Sequence, residues 1–320
     1  MLVISKKSTM GIIALAVALV ILASLLIHFQ LETHEDNQNS QQQTQFPQVQ
    51  KAILKANGYV SGGYWTRDTT TDLPDYISNI EYSVSNVGSA NAVNVNVTVE
   101  IDGELYSTNL VPLLSVSEER DYFFSISTTY DSTSYVFIQV SCHDSTDSCS
   151  FSSGANLPRY WTEDSNILEL YITPREDKTV KIRNEIINNK VFLIPNWIAL
   201  RDWVGNSITY KYDSDTHGLS EYWQLPKETV ELKSGDCEDH SILLCSLLRA
   251  DGWSPNDVYV VLGKNGNNEY HAWVKINLPI LGWYNIEPQG NGWNTLIGDF
   301  LSLSGYQAVC YFNDSQYHGI

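Results

Sequence analysis

The sequence is poor in basic residues. Its 320 residues include 19 Lys and Arg against 37 Asp and Glu, a formal net charge of −18 at pH 7. Proteins that bind nucleic acids need basic surfaces to meet the phosphate backbone. The acidic residues are scattered rather than collected in one run, which is typical of a solvated surface. The composition therefore argues against nucleic acid as a partner.

Common metal and nucleotide motifs are also missing. There is no CxxC or HExxH pattern, the usual signature of a zinc site. The glycine-rich stretch GKNGNN, residues 263–268, is not followed by a lysine-serine pair that opens a helix, so it predicts a hairpin turn rather than a phosphate loop. We expect no cofactor and no metal, with a metal site at Cys237, Asp239 and His240 as the weaker alternative.

A single long apolar run occurs at the N-terminus. Lys6 and Lys7 precede residues 10–27, which carry no charge. As a helix, this run rises about 27 Å, close to the roughly 30 Å of a bilayer core. A cleaved signal peptide is the alternative, because Ala23 and Ser24 are small. We expect an uncleaved membrane anchor in residues 1–30, with a transmembrane helix at about 10–28.

This anchor determines where the remaining chain is expected. Lysines before the span and acidic residues after it place the N-terminus in the cytoplasm and the other domains outside the cell membrane. Residues 31–50 are polar and Gln-rich, which predicts a linker. An external location would also allow Cys142 and Cys149, in CHDSTDSC, to form a disulfide that closes a local loop.

Residues 51–172 have the pattern of short strands. Valines alternate with Asn and Thr in NVGSANAVNVNVTVEIDG, residues 86–103, and Asp102-Gly103 predicts a turn. Several short strands separated by turns favour a small antiparallel β-sandwich. The stretch resembles immunoglobulin-like adhesion-type modules of prokaryotic surface proteins. The segment contains no catalytic cluster of His, Cys and carboxylates, which predicts a spacer or binding module.

Residues 173–320 combine helices and strands. Pro174 and two acidic residues begin a helical pattern in TPREDKTVKIRNEIINNK, and a second helix is predicted over PNWIALRDWVGN, before the short strand SITYKY. Three strands follow at 258–262, 269–276 and 283–287. The expected fold class is therefore α+β, with an N-terminal transmembrane helix, a β-sandwich and a helix-plus-antiparallel-sheet domain.

Cys237 lies at the start of a predicted helix in KSGDCEDHSILLC. Asp236 is a good N-cap residue, and Ser241, Leu244 and Leu248 follow at helical spacing. The free backbone N–H groups and the helix dipole favour the thiolate. The acidic residues beside Cys237 oppose a further negative charge. A nucleophile, a metal ligand and a core cysteine all remain open at this point.

The last predicted hairpin supplies a candidate base for Cys237. With a turn centred on Pro279, His271 lies opposite Glu287 on one face of the sheet, where Cβ atoms are about 4.5–5.5 Å apart. An imidazole that takes the thiol proton, and a carboxylate that orients it, are what a cysteine nucleophile requires. Cys237, His271 and Glu287 are therefore the predicted catalytic residues.

The motifs GDCEDH and HAWV, followed by GWYNIEP, resemble the transglutaminase-like cysteine-enzyme superfamily, with matching order between Trp197 and Gly290. The resemblance implies a papain-like helix-plus-sheet core, with Cys237 as nucleophile, His271 as base and acid, and Glu287 in a position where the family usually has Asp.

The resemblance also implies an activity. It suggests a cysteine peptidase or amidase that acts on a protein or peptide substrate through a thioester acyl-enzyme, and the predicted anchor makes this enzyme membrane-bound and extracytoplasmic. A cross-linking acyltransferase and a non-catalytic surface binding protein are the alternatives. One oxyanion donor is expected from the Cys237 backbone N–H. Trp203, Tyr222 and Trp223 are candidates for the second.

Overall fold

The structure is a computed structural model that describes residues 49–290 and 305–320. The predicted anchor and almost all of the predicted linker lie outside the described residues. Within the described ranges, no helix is long and apolar enough to span a membrane. The features below belong to the compact unit Lys51–Ile320. The domain boundaries predicted after residues 30, 50 and 172 stay predictions.

The described ranges contain strands and short helices in two successive regions. The strands are β1 (Leu54–Arg67), β2 (Pro74–Asn86), β3 (Ala92–Ile101), β4 (Glu104–Leu114), β5 (Glu119–Thr129), β6 (Ser134–Ser141), β7 (Thr146–Ser153), β8 (Thr209–Tyr210), β9 (Ser234–Gly235), β10 (Val258–Lys264), β11 (Tyr270–Leu278), β12 (Gly282–Ile286), β13 (Gln307–Phe312) and β14 (Tyr317–Gly319). The helices are α1 (Ser165–Leu170), α2 (Asp177–Asn189), α3 (Asn196–Ser207), α4 (Asp213–Thr216), α5 (Pro226–Leu232) and α6 (Cys237–Ala250).

The first seven strands form two antiparallel sheets, in the orders β1-β2-β5 and β4-β3-β6-β7. Inward-facing residues of both sheets form one hydrophobic cluster, which includes Ile80, Val97 and Ile138. The predicted turn between β3 and β4 is present, and Asp102 and Gly103 both have positive φ, at 54° and 84°. Two consecutive positive φ values are typical of the hairpin turns that match strand twist.

The disulfide that an external location would allow between Cys142 and Cys149 is not formed in this structure, where both thiols are free. The pairing of β6 with β7 explains this result, because Ile138 rather than Cys142 lies opposite Cys149. Four residues along a strand correspond to about 13 Å. Disulfides require Cα atoms within about 7 Å, so Cys142 and Cys149 are too far apart to form one in this register.

The second region contains a five-stranded antiparallel sheet in the order β12-β11-β10-β13-β14. Helix α6 packs against this sheet, and its residues from Ser241 to Leu248 are completely buried. Trp223, Val260 and Phe312 belong to the same hydrophobic cluster as this helix. The prediction of a mixed α+β fold with antiparallel sheets is therefore confirmed. This packing places the N-terminus of α6 beside strands β10 and β11.

Polar contacts fix the first region to the second. Buried Asp72 accepts hydrogen bonds from the Arg175 backbone N–H and from Arg175 Nη2, both at 2.7 Å. Arg159, between β7 and α1, pairs with Asp131 of the β5–β6 turn and with Glu228 of α5. The side chains of Asp72 and Arg159 are only 1% and 10% exposed, and a buried charge is costly unless its partners stay in place. These contacts therefore hold the segment between the two regions in one position.

Candidate active site

Cys237 is the first residue of α6, as the sequence predicts. The capping residue Asp236 donates its backbone N–H to Asp239 Oδ2 at 3.3 Å, and the Asp236 carbonyl accepts from the His240 N–H at 3.2 Å. Gly235 lies so close to Asp239 that an added Cβ would be 2.5 Å from its carboxylate. Glycine is therefore required here for the chain to enter the helix.

A short parallel pairing of β8 with β9 brings the aromatic residues Tyr210 and Tyr212 close to Cys237. Tyr210 pairs with Gly235, and the Lys211 N–H donates to the Gly235 carbonyl at 3.0 Å. Tyr210 thus lies beside the chain two residues before Cys237. Tyr210 contacts Tyr212 edge to face, with ring centroids 5.5 Å apart.

His271 and Glu287 are in direct contact, at 2.8 Å between Nε2 and Oε2. Both side chains are mostly buried, with 14% and 18% exposure. His271 also forms a hydrogen bond with the Cys237 thiol, and because Nε2 faces Glu287, the other ring nitrogen is left for this contact. The structure therefore brings together all three residues that the sequence selected.

The predicted register of this hairpin is wrong by two residues. Val274 pairs with Ile286 and Leu278 pairs with Gly282, so the turn is centred on Ile280 rather than on Pro279. Continuing the register by one residue sets Glu287 opposite Trp273, which makes His271 its diagonal neighbour. The diagonal distance is about 7–8 Å between strands. The extra methylene of Glu, compared with the usual Asp, helps to bridge this longer distance.

The charge state of His271 depends on both neighbours. Burial alone would lower its pKa, but the hydrogen bonds and negative charges of Cys237 and Glu287 raise the pKa to about 10. A raised pKa means that the imidazolium form persists through neutral pH. An imidazolium beside a thiol favours the thiolate. This pair of groups can therefore provide both a nucleophile and a proton donor.

Carboxyl groups surround the other side of Cys237. The Cys237 thiol donates to Glu238 Oε2 at 3.4 Å. Burial and the neighbouring Asp236 raise the pKa of Glu238 and of Asp239 well above the usual range. Burial, with the charge of Asp236, raises the pKa of Asp213 to about 7. At a given pH, these groups therefore carry less negative charge than exposed carboxyls would.

The same carboxyl groups are the residues that could hold a cation. Ligand atoms of Asp213, Asp236, Glu238 and Asp239 all lie within 4.8 Å of one another. A second combination consists of Asp236, Cys237 and Glu238. Oxygen-rich sets of this kind suit hard divalent ions. They differ from the alternative metal site considered from sequence, which included His240.

His240 has a structural role instead. It is 1% exposed, and its Nδ1 and Nε2 lie 2.7 Å and 3.2 Å from the carbonyl oxygens of Asp236 and Ile208. Burial lowers the pKa of His240. The imidazole therefore ties α6 to the chain before β8, with both nitrogens directed at backbone oxygens rather than at Cys237.

Cys237 and His271 line a cavity of about 500 Å³. Its other lining residues are mainly aromatic or acidic: Tyr160, Trp161, Tyr210, Tyr212, Trp223, Tyr270, Glu221, Asp236 and Glu238, with Leu262, Gly263, Ala272 and Val309. Gly263 lies opposite His271, and an added Cβ there would be 2.1 Å from the Gln307 carbonyl oxygen. The nucleophile and its base therefore share one cleft.

The three aromatic residues considered as oxyanion donors lie in different places. Trp223 lines the cleft, but its indole N–H donates to Glu221 at 2.6 Å. Tyr222 stacks on His217, with ring centroids 4.0 Å apart. Trp203 lines a separate cavity. Sequence reasoning missed Tyr210 in the cleft, although the strand SITYKY was identified.

Comparison with known families gives two matches. Residues 182–288 match the family model of the transglutaminase-like superfamily, and residues 68–148 match the CARDB model. Both resemblances expected from sequence are thereby confirmed. The centrosomal protein of 76 kDa from Xenopus tropicalis is 42% identical over 57 residues, which is 18% of this chain and 8% of that protein. The chain thus corresponds to a small part of that relative's length.

Solved structures give weaker likenesses. EGTA-treated LapG of Legionella pneumophila has 16% identity and a TM-score of 0.35, covering 51% of this chain and 88% of LapG. A CARDB domain from Pyrococcus furiosus has 17% identity and a TM-score of 0.27, covering 34% of this chain and all of that domain. Likenesses of this degree say nothing about activity.

Proposed function

We propose that the transglutaminase-like domain of this chain is a cysteine peptidase or amidase that uses Cys237 as its nucleophile. The observation that carries the proposal is the placement of His271 between Cys237 and Glu287, with Glu287 at 2.8 Å. A thiol, an imidazole and a carboxylate in this order form the arrangement required for acyl transfer.

The first half of the proposed reaction forms a thioester. The Cys237 thiolate attacks the amide carbonyl carbon, and the carbonyl electrons move to oxygen. The backbone N–H of Cys237 lies in the first turn of α6, where it has no acceptor within the helix, and it would donate to that oxygen. When the C–N bond breaks, the His271 imidazolium gives its proton to the leaving amine. Glu287 stabilises the imidazolium until that transfer.

In the second half, neutral His271 takes a proton from water as the water oxygen attacks the thioester carbonyl. The C–S bond then breaks, which releases a carboxylic acid and restores the thiolate beside an imidazolium. If an amine replaces water, the product is a new amide, and the protein is a cross-linking acyltransferase. The nucleophile that reaches the acyl-enzyme decides between these two activities.

Thiol alkylation as a function of pH tests the nucleophile. We expect iodoacetamide to modify Cys237 well below pH 8, because the imidazolium of His271 favours the thiolate. His271→Ala should shift this labelling to the pH of an ordinary thiol. Cys310, in the sheet of the same domain, is the internal reference in the same mass spectrum. It should stay unmodified at the pH at which Cys237 reacts, because it is buried and burial raises the pKa of its thiol.

Two results would contradict the proposal. The first is an ordinary pH profile at Cys237 that the His271 substitution leaves unchanged, which would favour a non-catalytic binding protein. The second is a peptide library that gives no acyl-enzyme mass and no cleaved or amine-coupled product with the purified protein. Running the library with and without an added primary amine separates hydrolysis from acyl transfer to amines.

The proposal also includes a location. The apolar segment at about residues 10–28 would anchor the protein in the cell membrane, with its N-terminus in the cytoplasm and its other domains outside. The support is the sequence of that segment alone. Protease treatment of intact cells tests it, because external domains should be degraded while a cytoplasmic marker survives.

A further inference from the structure

One wall of the cleft is built from residues outside the matched superfamily core. Tyr160 and Trp161 lie between β7 and α1 and line the cavity together with Cys237. The superfamily match begins only at residue 182. This wall is therefore a feature that the chain adds to its transglutaminase-like core.

Arg159 fixes the position of this wall. Its Nη1 and Nη2 donate to the two carboxylate oxygens of Glu228 at 2.8 Å and 3.0 Å, and Nη1 also donates to the Trp223 carbonyl at 3.1 Å. Its guanidinium lies 4.9 Å from the centre of the Tyr222 ring. The Trp223 N–H donates back to the Arg159 carbonyl at 3.1 Å. The residues that directly follow Arg159 are thereby held beside the cleft.

The cleft presents a surface suited to a cation. Tyr160 and Trp161 are 58% and 42% exposed, and Tyr270 is 78% exposed. Exposed aromatic faces attract ammonium and guanidinium groups, with Trp the strongest. None of the described residues that line this cavity is a lysine or an arginine. Its charged side chains, apart from His271, are the carboxyls of Glu221, Asp236 and Glu238.

Two of these carboxyls have oxygen atoms available as acceptors. Glu238 is 6% exposed, and neither its Oε1 nor Oδ1 of Asp236 accepts a hydrogen bond from a donor among the described residues. The two carboxyls interact with each other. Glu221 is exposed, and its carboxylate accepts a hydrogen bond from the Trp223 indole N–H at 2.6 Å. A cationic group placed in the cleft would therefore lie close to acceptor oxygens that no described donor occupies.

We propose that the cleft selects peptide substrates with an arginine or lysine next to the scissile amide, and that Tyr160 and Trp161 determine this specificity. The inference rests on the proposed function, because the cavity is a substrate cleft only if Cys237 is the nucleophile. The aromatic wall binds the cationic head by its ring faces, while the carboxyls provide the countercharge. The acidic net charge of the chain draws basic peptides toward it.

The test uses a matched pair of probes on the purified full chain. Both are peptidyl acyloxymethyl ketones, in which Cys237 Sγ forms a thioether as a carboxylate leaves. They differ only in having arginine or its neutral analogue citrulline next to the ketone. The measured quantity is the ratio of the two labelling rates, which cancels any change in thiol reactivity. We expect arginine to label about tenfold faster.

The variants locate the source of the ratio. Trp161→Ala and Glu221→Gln should each move it toward one, whereas Trp161→Phe, which keeps an aromatic face, should retain much of it. Tyr135→Ala is the matched control, because Tyr135 is a comparably exposed aromatic residue of the β-sandwich, at 49%. Its ratio should equal that of the unmodified protein.

The outcomes separate this inference from the proposed function. If iodoacetamide fails to modify Cys237 selectively, the proposed function itself is wrong. If iodoacetamide reacts rapidly but the arginine and citrulline probes label equally, only the specificity is wrong. A tenfold ratio that Trp161→Ala leaves unchanged would also overturn it, because the aromatic wall would then not determine the specificity.

Discussion

Replacing Glu287 by Gln should shift the pH range in which Cys237 is reactive. The change keeps the size of the side chain and removes the negative charge that stabilises the imidazolium of His271. A hydrogen bond to a charged group contributes about 1.5–3 kcal/mol. At about 1.4 kcal/mol per pKa unit, this corresponds to about 1–2 units. Both side chains are less than one fifth exposed, so solvent screening takes away little of this effect.

The expected result has two parts. The pKa of His271 should fall from about 10 to about 8 or 9, and the thiolate of Cys237 should require a correspondingly higher pH. The rate of iodoacetamide labelling on the acidic side should drop by about 10–100-fold. NMR titration of His271 in the variant measures the first shift, and a pH series of labelling rates measures the second.

Glu287→Asp gives the sharper form of this test. A diagonal pair needs the full length of Glu, and removing one methylene withdraws the carboxylate by about 1.5 Å. The contact of 2.8 Å would then exceed hydrogen-bond range. We therefore expect Asp to behave like Gln. Glu269→Gln is the control, because it changes the net charge equally but lies in the turn between β10 and β11. It should leave the pH profile of labelling unchanged. The reasoning is refuted if Asp preserves the original pH profile.

Three further predictions concern stability and redox state. Glu228→Gln should lower the free energy of unfolding by about 2–4 kcal/mol in urea titrations, because it leaves mostly buried Arg159 without its bidentate partner. A change below about 0.5 kcal/mol, roughly the scatter for surface sites, would show that the Arg159–Glu228 pair does not hold the segment between β7 and α1 in place. The pKa of Asp213 is raised to about 7, so its ionisation costs stability as pH rises from about 4 to 7. Asp213→Asn should therefore gain about 1–2 kcal/mol in relative stability between pH 5 and pH 8, and a difference independent of pH would show that this carboxyl does not titrate as described. Cys142 and Cys149 should both react with maleimide in unreduced, denatured protein, and protection of both until reduction would mean that β6 and β7 pair in another register.

The sequence was sufficient to select three residues that the structure brings together. Helical periodicity after Asp236 and alternation along the last strands depend on local rules, so Cys237 and the hairpin could be placed from sequence. The register of β11 with β12 could not be predicted, because a loop that contains both Pro279 and Gly282 permits more than one position for the centre of the turn. His271 and Glu287 still meet, since an error of two residues keeps each side chain on the same face of the sheet.

Features that depend on contacts between distant segments were inaccessible from sequence. Tyr210 reaches Cys237 only through the parallel pairing of β8 with β9, which has no local signature. Trp161 enters the cleft because Arg159, next to Tyr160, is held by contacts to α5. No periodic pattern marks these residues, since they lie in short or irregular segments.

The acidic residues around Cys237 illustrate how folding changes the meaning of a sequence. In the linear sequence, Asp236, Glu238 and Asp239 oppose a thiolate. In the folded chain, burial raises the pKa of Glu238 and Asp239 well above the usual range. Each therefore carries less negative charge than the formal count suggests, while the pKa of His271 is raised in the direction that keeps it positive. The local field at the thiol is thus more favourable to the thiolate than the sequence implies. A basic substrate entering this cleft would increase the ionisation of the same acids, so substrate binding and the charge state of the site should be coupled.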